Sequence, residues 1–279
     1  MPPVALTIAG SDPGGAAGLQ ADLKTFHAFG VYGASVVTAL TAQDTTAVHA
    51  ILHVDPRFVG AQLDAVLADL PVAAAKTGMF GRAATVEVVS ARLAAHPVAH
   101  LVVDPVLFAT AGQTLTEPAA VDVLRRTLLP LATLVTPNLA EAAALTGRPV
   151  HDVAGMRDAA RALVDLGVRA ALVTGGHLPG APVDVLCADG AVHELGGPRV
   201  GERPAHGAGC TLSAAITAGL AMGFTLADAV ARAQRYVHRA LASAPPIGRG
   251  SAPLNHLVTP ERGNDECTPH RIAPPSARC

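Results

Sequence analysis

Glu202-Arg203-Pro204-Ala205-His206-Gly207-Ala208-Gly209-Cys210-Thr211-Leu212-Ser213-Ala214-Ala215 runs a glycine-bearing loop straight into an alanine-rich segment with helical spacing. A helix starting there leaves the amides of Gly207, Ala208, Gly209 and Cys210 without intrahelical partners, at the end where partial positive charge collects. Such a terminus binds anions, phosphate above all. Cys210 stands at its lip, where the dipole is expected to lower the thiol pKa and expose thiolate. A plain helix start beside a buried cysteine uses the same residues, so the loop alone leaves both readings open.

Working outward, short apolar β-rich runs alternate with helical stretches. Strands are expected at 4–9, 33–42, 48–54, 72–75, 100–103, 133–136 and 170–173, and helices at 19–29, 56–70, 83–95, 118–129 and 156–166. Runs 183–187 and 192–195 flank Asp189-Gly190 as a hairpin. Helices at 209–222 and 226–243 close the folded part. Alternation of this kind predicts an α/β fold, three αβα layers around a mostly parallel central sheet. Ligands in such sheets bind beyond the carboxyl ends of the strands. Polar, glycine-rich segments recur there: Gly10 to Asp12, Gln43, Lys76 to Met79, Asp104, Asn138 with Glu141, and Thr174 to Gly176. None of them is a dinucleotide fingerprint, a Walker A loop or a protein-kinase signature.

Half of the 279 residues are hydrophobic and 15% are charged, enough apolar material for a sizeable core. With 3% aromatics and no tryptophan, that core must be built from Ala, Val and Leu. A net charge of −2 argues against a nucleic-acid surface. No apolar run approaches the roughly 20 residues of a membrane span, and the opening residues lack a signal-peptide pattern. The expectation is a cytoplasmic protein. Its four cysteines form no C-x-x-C pair, which speaks against zinc and a disulfide framework. Lys24 and Lys76 are the only lysines, so other cationic phosphate contacts must come from arginine, amides or metal. One domain is expected over 1–260. Residues 261–279, holding Cys267 and His270, lose all periodicity and read as a disordered tail.

Several strings together resemble a known family. They are Thr7-Ile8-Ala9-Gly10-Ser11-Asp12, Gln20-Ala21-Asp22-Leu23-Lys24-Thr25, Thr38-Ala39-Leu40-Thr41-Ala42-Gln43, Lys76-Thr77-Gly78-Met79 and Asp104-Pro105-Val106. Thr136-Pro137-Asn138-Leu139, Glu141-Ala142, Gly175-Gly176-His177 and the run His206 to Ala215 complete the set. The chain is similar over residues 4–256 to the hydroxymethylpyrimidine/phosphomethylpyrimidine kinases of thiamin biosynthesis, members of the ribokinase-like superfamily. The most specific element is the cysteine closing the Gly-x-Gly loop, where sugar kinases of that superfamily carry aspartate.

This resemblance implies ATP-dependent phosphorylation of the pyrimidine hydroxymethyl group and then of the monophosphate. Gly10, Asp22, Gln43, Met79 and Val106 would line the pyrimidine pocket; Asp22 and Gln43 suit an aminopyrimidine edge with its donors and acceptors. Asp104 and Glu141 would organise Mg²⁺, directly or through water. Asn138, Thr174, Gly176 and Thr211 would approach ATP. The amides of Gly207 to Cys210 would hold the transferring phosphoryl group, with Cys210 as general base or polar positioning group. A homodimer is implied by analogy only. Without the resemblance, Asp22 reads as a solvated helix carboxylate and Met79 as core filler. Asp104 then reads as a turn carboxylate, and Glu141 as a first-turn glutamate complementing a helix dipole.

Departures qualify the match. Thr174 and Gln234 stand where the family usually has lysine, and Pro204-Ala205 where it has Asn-Thr. Arg203, Arg232 or Arg235 could supply the missing charge, although arginine is not geometrically equivalent to lysine. Two alternatives therefore stay open: a pyridoxal kinase, and a regulatory paralogue that binds the pyrimidine but phosphorylates poorly.

Overall fold

The computed structural model describes residues 1–109, 112–176, 178–200 and 205–260. The expected tail 261–279, with Cys267 and His270, lies outside them, as do Arg203 and His177. Nine strands form one sheet in the order β3-β2-β1-β4-β5-β6-β7-β8-β9. They are β1 (Val4–Ser11), β2 (Tyr32–Gln43), β3 (Val48–His53), β4 (Val72–Thr77), β5 (His100–Val103), β6 (Leu134–Val135), β7 (Ala170–Val173), β8 (Val183–Ala188) and β9 (Ala191–Gly196). From β2 through β7 every pairing is parallel; β3, β8 and β9 are added antiparallel at the edges.

The central parallel strands are buried on both faces and are correspondingly apolar, as in Leu101 to Val103 of β5 and the whole of β7. On one face pack α1 (Gly18–Ala28), α7 (Ala208–Ala221) and α8 (Leu226–Ala242); their core joins Phe26, Leu134, Leu172, Ile216 and Tyr236. The ring of Tyr236 meets Phe29 edge-on at 5.1 Å between centroids, and its hydroxyl donates to the His256 carbonyl at 3.3 Å. On the other face lie α2 (Pro56–Asp69), α3 (Ala83–Ala95), α4 (Pro118–Val123), α5 (Leu139–Thr146) and α6 (Val153–Asp165), around Ile8, Val103, Leu128, Leu145 and Leu163. The three-layer expectation holds.

Connections leave β1 on one side to β2 and return on the other to β4, so the order of strands reverses at β1. A crevice opens at such a switch point, beyond the carboxyl ends of the strands. Three short elements escaped the periodicity reading. Helix α5 is only eight residues long, set by a capping box in which Asn138 accepts from the Glu141 amide and Glu141 accepts from the Asn138 amide. The parallel pair β10 (Ala205–His206) and β11 (Ala252–Pro253) is too short to show any alternation. Through β11, residues 248–251 are pinned to Thr45 at the β2–β3 turn, whose hydroxyl accepts from the amides of Arg249 and Gly250 at 3.1 Å.

Candidate active site

A cavity of about 1990 Å³ occupies the crevice. Gly10 from β1, Gln43 from β2, and Met79 and Val106 from the loops after β4 and β5 line one end. Asp104, Asn138, Glu141, Thr174 and Gly176 line the middle, and Gly207 to Cys210 close it from the α7 side. The structure thus gathers thirteen of the fifteen expected site residues around one space. The other two, Asp22 and Thr211, are fully buried and absent from its lining.

Asp22 lies outside the lining. It sits under the cavity on α1, taking the Thr7 hydroxyl at 2.6 Å and the Lys76 ammonium at 2.9 and 3.0 Å. A carboxylate without solvent exposure must be paired, and Lys76, equally buried, is the pair. Its second neighbour is Asp104, with Oδ2 at 3.8 Å, which also accepts from the Ser213 hydroxyl at 3.0 Å. Burial alone would drive the Lys76 ammonium toward neutrality, but Asp22, Cys210 and Asp104 outweigh it and hold its pKa above the usual lysine value. Sequence reading noted Lys76 as one of two lysines without giving it this place. Thr211 also lies outside the lining: its hydroxyl donates to the Gly207 carbonyl at 2.8 Å and lies 2.9 Å from His256 Nε2, which locks the first turn of α7.

Helix α7 starts as expected. Gly207 is its N-cap at φ +86°, and its carbonyl takes the Thr211 amide, which leaves the three amides before it free. Cys210 keeps partial exposure. Its thiol does not behave as the dipole argument predicts. Burial pushes it up to about 12, helped by Asp104 and Asp22 and opposed by Lys76 and the Gly18 amide. Desolvation beside two carboxylates outweighs half a charge of helix dipole.

Asp104 and Glu141 are the two carboxylates facing the middle of the cavity. Burial raises Asp104, against Lys76, Ser213 and Cys210. Burial and then the Asp104 charge push Glu141 up to about 8, although the amides of Asn138 and Leu107 both donate to it. Two hard oxygen ligands that repel one another fit a divalent cation keeping most of its water, as magnesium does. Among the described residues no cluster of three or more His, Cys, Asp or Glu suits a metal.

At the end lined by Gln43, its Nε2 lies 2.7 Å from His206 Nε2, and Asp12 Oδ2 stands 3.6 Å from the same nitrogen. Asp12 organises the loop after β1, accepting the amides of Gly14, Ala16 and Ala17 at 2.8 to 3.0 Å. Neither His206 nor Asp12 was singled out as a site residue from sequence, though His206 directly precedes the glycine loop. At the far end, Gln234 donates to Asp184 at 2.8 Å, and Asp184 also caps the Gly175 amide at 2.9 Å. The uncharged residue at 234 therefore partners a carboxylate in the cavity wall. Arg199 clasps the carbonyls of Gly176, Leu178 and Gly180. Arg232 lies over the Phe224 ring at 4.2 Å, so it serves α8 packing.

One pH effect follows from the support of α7. Burial, then Lys24, lowers the His256 imidazole to about 4, so it is neutral in the fold and charges only near that pH. An unfolded histidine binds its proton near 6.5, so stability is lost as pH falls from about 6.5 toward 4. A shift of that size is worth up to roughly 3 kcal/mol. Urea unfolding at pH 7 and pH 4.5 is expected to show a steeper loss for the wild type than for His256→Gln; equal losses would contradict it.

The phosphomethylpyrimidine kinase family profile matches residues 12–255. The hydroxymethylpyrimidine/phosphomethylpyrimidine kinase of Rhizobium meliloti is 50% identical over 261 residues, covering 92% of this chain and 98% of that protein. The thiamine biosynthesis bifunctional protein ThiED of Geobacter sulfurreducens is 49% identical over 261 residues, 93% of this chain. The chain spans about half of that relative, 53% of its length. Among solved structures, an ADP complex of Bacillus subtilis pyridoxal kinase superposes with a TM-score of 0.87 at 34% identity, covering 92% of this chain and 98% of the other.

Proposed function

The chain belongs to the phosphomethylpyrimidine kinase family, and from that premise we propose that it phosphorylates 4-amino-5-hydroxymethyl-2-methylpyrimidine with ATP, and then the monophosphate to the diphosphate for thiamin biosynthesis. Identity of 50% to a pyrimidine kinase against 34% to a pyridoxal kinase supports this over the pyridoxal alternative. The observation that carries the reading is the juxtaposition of free α7 amides with a slot floored by Gly10, Gln43, Met79 and Val106.

In this reading the ring lies in that slot with its hydroxymethyl group toward Cys210. ATP runs past Asn138, Thr174 and Gly176, its terminal phosphate on the amides of Ala208 to Cys210. The hydroxyl oxygen attacks the γ-phosphorus, the bond to ADP breaks and ADP leaves, and the hydroxyl proton passes to an oxygen of the transferred phosphoryl group as the new P–O bond forms. Donors already aimed at the transferring group cost no reorganisation when charge spreads over its oxygens. Asp104 and Glu141 would hold Mg²⁺, which would supply charge neutralisation at the phosphates. Thr211 and Asp22 act from behind, fixing α7 and the cavity floor. Thr174 and Gln234 bring no charge, so stabilisation of the phosphates falls to the cation, the amides and Arg235, which lines the cavity. We assign the enzyme to the cytoplasm as a homodimer, which cell fractionation and sedimentation test.

A thiol at about 12 is protonated at neutral pH, so Cys210 serves as a positioning hydrogen-bond group, not a thiolate base. A coupled assay with the free pyrimidine and with its monophosphate tests the function; no turnover of either overturns it. In that assay Cys210→Ala is expected to lower kcat about 10- to 100-fold, with Cys210→Ser retaining most activity. The wild-type rate is expected to show no thiol ionisation below pH 10. A limb near pH 8.5 that disappears in Cys210→Ser would restore the base role.

A further inference from the structure

We propose that Thr45 is a positioning residue: through it the segment 248–256 holds the tip of the β2–β3 hairpin, and with it Gln43 and Val48, in place against the start of α7. The proposal rests on the ring-binding reading above, in which that tip walls the ring slot. Thr41, Gln43 and Val48 all line the cavity. The sheet does not reach that far. Pairing of β2 with β1 stops where Ser11 stands opposite Leu40, and β3 is an edge strand paired with β2. Past Leu40 the hairpin is two-stranded, an arrangement marginally stable at best in water. Ala42, Asp44, Thr46, His49 and Ala50 are exposed, so little apolar packing steadies it. Asp44 accepts the Thr46 and Ala47 amides at 2.7 and 3.1 Å, but those bonds close the turn on itself. The Thr41 hydroxyl, donating to the Ser11 carbonyl at 3.0 Å, ties down the root of the hairpin and not its tip.

The tip is tied down from far along the chain. The Thr45 hydroxyl accepts from the amides of Arg249 and Gly250 at 3.1 Å each, and the Thr45 carbonyl accepts from the Ser251 amide at 2.9 Å. The two backbones lie close: a Cβ on Gly250 would stand 1.9 Å from the Thr45 carbonyl oxygen, and one on Gly248 2.4 Å from the Thr45 side chain. The same segment then continues to the other end of the site. Ala252 and Pro253 pair with Ala205 and His206 of β10, directly before the glycine loop. Ala252 and Leu254 are buried, and the Asn255 amide donates to the Ala240 carbonyl of α8 at 3.1 Å. His256 Nε2 ends the run 2.9 Å from the Thr211 hydroxyl in the first turn of α7. One short stretch therefore touches, in order, the hairpin turn, the strand before the glycine loop and the helix start. The side chains of Gln43 and His206, which meet at 2.7 Å, are held by it from opposite sides.

Two measurements test this, one of them independent of any substrate. Thr45→Val keeps the shape and removes the acceptor, Thr45→Ser keeps the acceptor, and Gly250→Ala wedges the segment away with Thr45 intact. In the ligand-free protein, hydrogen exchange over residues 42–50 should quicken about tenfold in the Val and Ala variants, the size expected for losing bonds that hold a local unit closed. Exchange in α5 and α6 should not change, and the Ser variant should stay near wild type. An unaltered hairpin in Thr45→Val overturns the proposal, whatever the enzyme phosphorylates. In steady-state kinetics the Val and Ala variants should raise KM for the hydroxymethylpyrimidine about tenfold, with KM for ATP within about twofold. A role confined to stability would lower kcat through a smaller folded fraction and leave KM alone; that result overturns positioning. A Ser variant as impaired as the Val variant would place the effect in methyl packing and overturn it too. Absence of pyrimidine turnover in the wild type would instead remove the functional reading, with exchange over the hairpin still deciding what Thr45 holds.

Discussion

Gly207→Ala is expected to lower phosphoryl transfer at least a hundredfold while the protein stays folded. At φ +86° a side chain is strained by itself, by about 1–3 kcal/mol. Sterics add more, because the new Cβ would stand 1.8 Å from the Ala16 carbonyl oxygen and 2.8 Å from its carbon. Neither partner is a flexible side chain. The Ala16 segment is held by Asp12 through three amides, and the Gly207 carbonyl is held by both the amide and the hydroxyl of Thr211. Relief must come from the first turn of α7 backing away from the β1 loop. A displacement of about 1 Å at a catalytic donor is enough for a hundredfold loss. The rest of α7 remains anchored by buried Leu212, Ile216 and Leu220, so circular dichroism should change little. Gly209→Ala is the contrast for stability, since a Cβ there meets nothing within 4 Å. A Gly207→Ala enzyme with near-normal kcat would show that these amides are not where the phosphoryl group sits.

Lys76→Met should destabilise the fold by about 3–5 kcal/mol, the usual result of stranding a buried charge. Asp22 would lose the ammonium that pairs with it at 2.9 Å, and Asp104 a neighbour at 3.8 Å. The signature that separates charge stranding from lost packing is the double variant. Replacing Asp22 by Asn or Leu in the Lys76→Met background should recover most of the loss, because removing both charges is far cheaper than removing one. Guanidinium titrations of the three variants give the answer. Additive losses would mean that shape, not charge balance, is what Lys76 contributes.

The alternation of apolar β runs with helical spacing was enough to expect the layers and the strand ends at which the crevice lies. Burial on both faces leaves a period-free apolar strand and a helix of period 3.6, and both were legible in residues 170–173 and 156–166. Short elements were not. Helix α5 is signalled by its cap, Asn138 with Glu141, more than by its eight alanine-rich residues. The errors at the site share one cause: a one-dimensional string does not say which side of the sheet a charged residue faces. Asp22 lies on a helix whose apolar face is turned to the sheet, and it is legible as buried only once Lys76 is known to end beneath it. Cys210 misled in the same way. Its dipole environment follows from the glycine loop, but the two carboxylates that oppose it come from positions 106 and 188 residues upstream, in β-strand and helix neighbourhoods no local pattern links. His206 was in plain view and carried no role, because its partner Gln43 is 163 residues away.

A chain without tryptophan emits ultraviolet light almost wholly through its two tyrosines, and the fold gives them opposite surroundings. Tyr32 is 56% exposed and reports little, whereas Tyr236 is sealed against Phe29 and linked through His256 to Thr211 on the first turn of α7. The molecule thus carries an intrinsic fluorophore joined to the start of α7, and in the proposed reading a change in tyrosine emission on adding ATP is the expected optical sign of occupancy.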